Sequence, residues 1–86
     1  MQSAKKNNAQ RAKELFAING PAKLRAARAW LRWSLDDAAH KTSITRAYLS
    51  YYENGRPALT DADYLKLFEA FQAAGLEVTE HGLQAL

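Results

Sequence analysis

Two helix-start signals lie close together in the middle of this chain, and their spacing constrains the fold more than any other feature. Ser34 is followed three residues later by Asp37, the arrangement of a capping box, in which each side chain bonds the backbone N–H of the other residue. Thr45, eleven positions after Ser34, offers a second N-cap. Residues 41–43 between them are poor helix sequence, so the first helix must be short. The spacing therefore predicts two short helices joined by a tight turn.

Apolar residues at helical spacing predict further helices on both sides of this turn. Residues 19–21 read Asn-Gly-Pro, which ends one helix and starts another, because proline is tolerated in the first helical turn. Thr60 and Asp63 repeat the capping-box pattern. Residues 76–79 alternate as a half-buried strand does, and residues 80–82 can turn the chain. Besides the two short helices, the pattern predicts helices over 9–18, 21–31 and 60–75. The expected fold class is all-α, a bundle of four or five helices with room for a short C-terminal β-strand.

The composition predicts one soluble, cytoplasmic domain. A chain of 86 residues is too short to bury two separate cores. It has no cysteine, which excludes disulfides and thiolate metal sites and fits a reducing cytosol. No apolar run approaches the roughly 20 residues of a membrane span, and residues 1–10 lack the apolar centre of a signal peptide. Residues 1–8, which include Lys5 and Lys6, are expected to form a flexible basic arm.

Basic charge is concentrated in the first two thirds of the sequence. Residues 1–56 hold 11 of the 12 Lys and Arg residues and 4 of the 9 acids, a balance of +7. Residues 57–86 hold 1 base and 5 acids, a balance of −4, and the two parts sum to the net charge of +3. Such asymmetry is typical of a polyanion-binding protein, because each phosphate that is neutralised releases counterions. A solvated surface with uneven charge is the alternative explanation of the charge alone.

Four segments at fixed spacing characterise the turn more closely. They are Leu24-Arg-Ala-Ala-Arg28, Trp33-Ser-Leu-Asp-Asp-Ala-Ala39, Ile44-Thr-Arg-Ala-Tyr-Leu49 and Glu53-Asn-Gly-Arg-Pro57. Together they resemble the helix-turn-helix family of phage repressors and Cro, also called the XRE family. The resemblance covers about residues 21–75 and implies a lambda-repressor-like domain over 9–75, with the motif at 33–55 and its second helix in the major groove of DNA. In this pattern Ala39 is small because the two helices cross there, and Ile44 and Leu49 anchor the corner in the core.

Two positions depart from the family pattern. Ser43 stands where the family usually has glycine in a left-handed conformation, which costs a non-glycine residue roughly 1 kcal/mol or more. A slightly different corner is therefore expected. Leu35 stands where the family often has a glutamine that reaches a phosphate, which leucine cannot do. The backbone N–H groups behind Ser34 remain a candidate phosphate contact, because a helix N-terminus attracts anions.

Helical geometry places the side chains of the second helix on two faces. Tyr48, Leu49 and Tyr52 are predicted to turn inward, while residues near the N-terminus of the helix face the groove. Arg46 is the foremost candidate for reading a base, because a guanidinium can fork onto guanine O6 and N7. The resemblance places the base-reading positions on the same outward set, which is Thr45, Arg46, Ala47, Ser50 and Tyr51.

Other polar residues receive different roles. The predicted contacts to the DNA backbone, which set register without reading sequence, are Ser34, Lys41, Ser43, Asn54 and Arg56. The resemblance implies that Arg28 and Glu53 form a structural ion pair and do not contact DNA. Trp30 and Trp33 are expected to pack in the core or at its rim, because base stacking is uncommon in duplex binders.

Reactive side chains argue against an enzyme. His40 and His81 lie in different segments, and neither has a neighbour spaced like a metal ligand or a nucleophile. Asp36 and Asp37 are adjacent, so their carboxylates diverge on a helix, and capping explains Asp37. The sequence has no glycine-rich phosphate loop. We therefore expect no catalysis, no cofactor, no metal and no small-molecule ligand.

The sequence as a whole predicts a transcriptional repressor of a bacterium, phage or plasmid. The resemblance implies a homodimer on an inverted-repeat operator, with half-sites about one helical turn apart. Candidate dimer surfaces are residues 76–86, the helix at 9–16 and the helix at 64–71. The alternative from another class is a helical protein-interaction module, such as an antitoxin-like or co-regulator domain, because residues 61–86 are acidic and aromatic.

Overall fold

The structure is a computed structural model that describes residues 7–86. In chain order the helices and strands of this range are α1 (Asn8–Phe16), α2 (Gly20–Leu31), α3 (Leu35–Thr42), α4 (Arg46–Glu53), α5 (Asp61–Ala73), β1 (Leu76–Thr79) and β2 (Gly82–Ala85). The predicted helical bundle is confirmed, and its C-terminal strand is one half of a hairpin. Residues 1–6 of the expected basic arm lie outside the described residues. Its last two residues, Asn7 and Asn8, cap and begin α1.

Capping boxes set the starts of two helices. Ser34 and Asp37 form the expected box at α3, where the Ser34 N–H donates to Asp37 Oδ2 at 3.0 Å and the Asp37 N–H donates to Ser34 Oγ at 2.9 Å. Hydrogen bonding of the Asp37 carboxylate by the backbone and the side chain of Ser34 holds the pKa of this carboxyl below its usual value. Thr60 and Asp63 form the same box at α5. Thr45 occupies the N-cap of α4, but its side chain makes no capping hydrogen bond to any described residue.

The core lies where α5 meets the other helices and the hairpin. Its largest fully buried side chains are Phe71, Leu24, Leu49, Leu67, Leu76 and Val78. Aromatic rings connect the elements around them: Phe16 lies 5.8 Å from Tyr64, and Trp33 lies 5.6 Å from Phe71, between ring centroids. The prediction for Trp33 agrees with this packing. Trp30 is 63% exposed, so its expected place in the core or rim is wrong. Trp30 lies near the end of α2, and the buried residues Leu24 and Ala27 anchor this helix on another face.

The junction between α1 and α2 is closed by one tyrosine and one lysine. The Tyr52 hydroxyl lies against Phe16 and Gly20, where a Cβ on Gly20 would overlap it, and burial raises the pKa of this phenol. Lys23 is 6% exposed and donates from Nζ to the backbone oxygens of Leu15 at 2.6 Å and Glu80 at 3.2 Å. Burial lowers the pKa of the Lys23 ammonium group, and the charge of Glu80 opposes that effect. Lys23 thus joins α1, α2 and the hairpin.

The hairpin is a two-stranded antiparallel sheet with a short turn at 80–81. Leu76 pairs with Ala85 and Val78 with Leu83, and both β1 residues are buried. The Leu86 N–H donates to the Gly75 oxygen at 2.9 Å. Gly75 and Leu86, which lie opposite each other next to Leu76 and Ala85, are therefore a hydrogen-bonded pair. Because bonded and non-bonded pairs alternate in an antiparallel ladder, the backbone N–H and C=O of Leu83 and Ala85 point away from β1. The hairpin therefore presents β2 as its outer edge.

Candidate nucleic-acid interface

The corner between α3 and α4 is built by three consecutive residues. The Thr42 hydroxyl donates to the Ala38 oxygen at 2.7 Å and accepts from the Ile44 N–H at 3.2 Å. Ser43 adopts the left-handed conformation, with φ at 61°, and its N–H donates to the Ala39 oxygen at 2.8 Å. The corner thus keeps the backbone conformation that glycine would favour, at the conformational cost of a side chain there.

Two adjacent alanines of α3 lie before this corner, and the core covers them to different extents. Ala38 is fully buried, whereas Ala39 is only partly buried against the core. Ala38 and Thr42 lie four residues apart, on the same face of α3, and this is the face that is buried. Ile44 and Leu49 are buried as expected, at 4% and 0% exposed. The corner is therefore held by apolar packing on both sides of the turn.

Helix α4 exposes one face along its length. Four predicted base-reading residues are exposed, and Ser50 is half-buried; the exposed ones are Thr45, Arg46, Ala47 and Tyr51. Leu49 and Tyr52 turn inward as expected. Tyr48 is 49% exposed, so the prediction that it faces the core is wrong. An eight-residue helix buries one narrow stripe, here Leu49, Tyr52 and Glu53, and Tyr48 lies beside it.

An acid that sequence reasoning did not assign to the site contacts the foremost base-reading candidate. Asp36 Oδ1 lies 2.8 Å from Arg46 Nε, and both side chains are largely exposed. Asp36 is the second residue of α3 and Arg46 the first of α4, so the pair crosses the helix-turn-helix corner. Ten positions of sequence separate them, and no periodic pattern within one helix could have indicated the contact.

Most of the predicted backbone-contacting residues, which we call the rim of α4, already have a protein partner. The Arg56 guanidinium lies 5.3 Å from the centroid of the Tyr51 ring, and Lys41 Nζ lies 5.8 Å from that of Trp33. Both are cation–π distances that restrict long, flexible side chains. The remaining members are Ser34 in its capping box, Ser43 at the corner, and Asn54, whose Nδ2 donates to the Ser50 oxygen at 2.8 Å.

Arg28 and Glu53 form a bidentate ion pair beneath the site. Arg28 Nε and Nη2 donate to the two Glu53 carboxylate oxygens at 2.6 and 2.8 Å. Arg28 Nη1 also donates to the Trp33 oxygen at 3.0 Å, and Arg25 Nη1 donates to the Glu53 backbone oxygen at 2.6 Å. The bonds to Glu53 raise the pKa of Arg28 further. These contacts join α2 to the loop before α3 and to the end of α4.

Metal-binding clusters and membrane-spanning helices are absent from residues 7–86. No group of three or more His, Cys, Asp or Glu residues in that range could hold a metal ion. None of the helices there is long and apolar enough to cross a membrane. His40 and His81, far apart in sequence, are both exposed.

Comparison with known proteins gives one family. A family model described as a helix-turn-helix domain matches residues 22–81, a range that runs from α2 to the turn of the hairpin. No curated protein and no solved structure matches the chain significantly.

Proposed function

The chain belongs to the helix-turn-helix domain family, and from that premise we propose that it is a sequence-specific transcriptional repressor that reads duplex DNA with α4. The observation that carries this proposal is the outer face of α4. Its exposed first turn holds Thr45, Arg46 and Ala47, while Leu49 and Tyr52 fasten the opposite face to the core. A rigid helix with a short, exposed, cationic N-terminal end is what entry into the major groove requires.

Charge and side-chain chemistry support the same assignment. Residues 1–56 carry a balance of +7, and this range contains α4 and its rim. Lys41 and Arg56, held over the rings of Trp33 and Tyr51, are suited to phosphate oxygens of the DNA backbone. A guanidinium at the first position of α4 is suited to guanine. We therefore infer that each half-site contains a guanine read by Arg46.

The proposal is tested by titrating the protein with random duplex DNA at several salt concentrations. We expect measurable binding at low salt and a log K that falls linearly with log salt concentration, because phosphate contacts release counterions. Undetectable binding at low salt, or a flat salt dependence, refutes DNA binding and leaves the protein-interaction module as the alternative.

Sequence reading is tested on the operator selected from a random DNA library. Arg46→Ala should abolish most of the preference for the operator over random duplex and keep most of the non-specific affinity. A lost bidentate contact to guanine is worth about 1–3 kcal/mol of discrimination. Arg11→Ala, which removes the same charge from the exposed surface of α1, is the matched control and should leave the preference unchanged. If Arg46→Ala weakened the affinity for all DNA sequences equally, Arg46 would instead be a phosphate contact.

We further propose that two copies pair through the outer edge of β2 and bind an inverted repeat. The other two candidate surfaces are less available, because α1 and α5 pack against each other, with Phe16 against Tyr64. The outward backbone groups of Leu83 and Ala85 can extend the hairpin into a four-stranded antiparallel sheet. Such a dimer would occlude a promoter in the cytoplasm of a bacterium, on a bacterial, phage or plasmid operon.

The dimer is tested by removing one outward N–H group. Ala85→Pro takes away a donor that points from β2 to the second copy, and should convert a dimer to a monomer in sedimentation equilibrium. Gln84→Ala, one residue earlier and with its backbone directed at β1, is the control and should remain dimeric. Deletion of 76–86 is less informative, because Leu76 and Val78 belong to the core. An unchanged mass for Ala85→Pro rules out the β2 edge.

A further inference from the structure

The ion pair between Asp36 and Arg46 lies on the surface that the proposed function assigns to DNA. The two side chains are 78% and 61% exposed, and the contact joins Asp36 Oδ1 to Arg46 Nε at 2.8 Å. Asp36 has no part in the capping box, which is made by Ser34 and Asp37. An exposed ion pair of this kind adds little to folding stability, because solvent screens it and two long side chains are restrained. Stability therefore does not explain the pair.

A carboxylate at this position works against general affinity for DNA. Asp36 brings a negative charge to the exposed start of α3, next to the first residue of α4. Phosphate oxygens near this end of the motif are repelled by it, and the repulsion is the same on every DNA sequence. The side chain that this carboxylate contacts is Arg46, the residue to which the proposed function assigns a base.

We propose that Asp36 is a specificity-determining positioning residue that directs Arg46 to guanine and away from phosphate. This inference rests on the proposed function. The contact engages the guanidinium at Nε, the inner nitrogen, and so leaves the two terminal amino groups as the fork that matches guanine O6 and N7. Arginine is flexible, and holding it at one nitrogen reduces the entropy lost when the fork binds. The same carboxylate weakens the competing contacts that Arg46 makes with phosphate.

The test compares Asp36→Asn with Asp61→Asn. Both residues are exposed acids in the first turn of a helix and both form a surface ion pair, since Asp61 Oδ1 lies 3.3 Å from Lys13 Nζ. Each variant raises the net charge by the same amount, but Asp61 lies on α5 and pairs with Lys13 of α1, not with a residue of α4. The affinities of the full chain and of each variant are measured for the selected operator, for the operator with its guanine replaced, and for random duplex.

Asp36→Asn should bind random duplex more tightly and discriminate less. We expect its preference for the operator over the guanine-substituted operator to fall about three- to tenfold, a part of what a bidentate pair supplies. Asp61→Asn should keep that preference, and both variants should unfold at the same temperature as the original chain to within a few degrees. In an Arg46→Ala background, Asp36→Asn should no longer change the preference, because the side chain that it positions is gone.

Three results would overturn the inference. They are an unchanged preference in Asp36→Asn, an equal loss in Asp61→Asn, and a loss that persists in the Arg46→Ala background. Any of these leaves the proposed function intact, provided that the original chain selects an operator. If the original chain shows no binding to duplex DNA at low salt, the proposed function fails and this inference fails with it. Asp36→Ala, which also shortens the side chain, should reproduce the result of Asp36→Asn.

Discussion

Loss of one partner from the Arg28–Glu53 ion pair should be among the most destabilising single changes in this domain. In Glu53→Leu the Arg28 guanidinium loses both carboxylate oxygens, at 2.6 and 2.8 Å, and keeps its bond to the Trp33 oxygen. The side chain of Glu53 is 8% exposed and that of Arg28 19%, so water replaces little of the lost interaction. Breaking a buried pair by removing one partner costs about 3–5 kcal/mol.

The residual exposure of Arg28 favours the lower end of this range. We expect Glu53→Leu to cost about 3 kcal/mol, against a total stability of about 5–10 kcal/mol for a domain of this size. Urea unfolding followed by tryptophan fluorescence measures the effect, since Trp33 packs on Phe71 in the core. With an m-value of about 1 kcal/mol per molar urea, the midpoint should fall by about 3 M.

The double variant separates the cost of an unpaired charge from the value of the pair. Arg28→Met with Glu53→Leu replaces both charges by apolar side chains, which often has little effect on stability. The double variant should therefore be more stable than the sum of the two single variants predicts, by about 2 kcal/mol or more. Asp61→Asn, which breaks an exposed pair, should change stability by less than about 1 kcal/mol. A cost below about 1 kcal/mol for Glu53→Leu, or additive single effects, would refute the reasoning.

Two further predictions concern helix starts. Gly20→Ala should cost about 1–3 kcal/mol because its Cβ overlaps the Tyr52 hydroxyl, and adding Tyr52→Phe should recover part of that loss in urea unfolding; a cost unchanged by Tyr52→Phe contradicts the overlap. Asp37→Asn should be less stable than the original chain above pH 3.8, the ordinary carboxyl pKa, because the folded-state pKa lies below that value. The difference should shrink as the pH falls below 3.8 and the folded carboxyl takes up a proton, and urea midpoints from pH 2 to pH 7 measure it; a constant difference would contradict the lowered pKa.

The parts of the fold that could be predicted from sequence are those that depend on neighbours within one or two turns. Ser34 with Asp37 and Thr60 with Asp63 form their boxes because donor and acceptor are three residues apart, and that distance is set once the helix begins. Thr45 shows the limit of such signals, since it takes the N-cap position without the side-chain bond. Arg28 and Glu53 were assigned by family resemblance, because no local rule relates residues 25 positions apart.

Side-chain environments at the edges of helices could not be predicted in this way. Helical periodicity places Tyr48 and Trp30 on stripes next to buried residues, but their burial depends on whether another element covers the stripe. In this fold none of the described residues buries either one, and they stay 49% and 63% exposed. Lys23 is the reverse case. This lysine is buried because the hairpin turn, 57 positions later in the sequence, packs against it and the Glu80 oxygen accepts a hydrogen bond from its Nζ.

The helix-turn-helix corner also has features that the sequence predicts and features that depend on packing. The sequence alone determined that two short helices meet near Ser43 and that Arg46 begins the second one, because caps, turn residues and apolar spacing act locally. Only the tertiary structure decided that Asp36 lies 2.8 Å from Arg46, since this distance depends on how α3 and α4 pack against the core through buried residues such as Ala38 and Leu49. Local interactions select the elements, whereas packing in the core selects which of their surface charges meet.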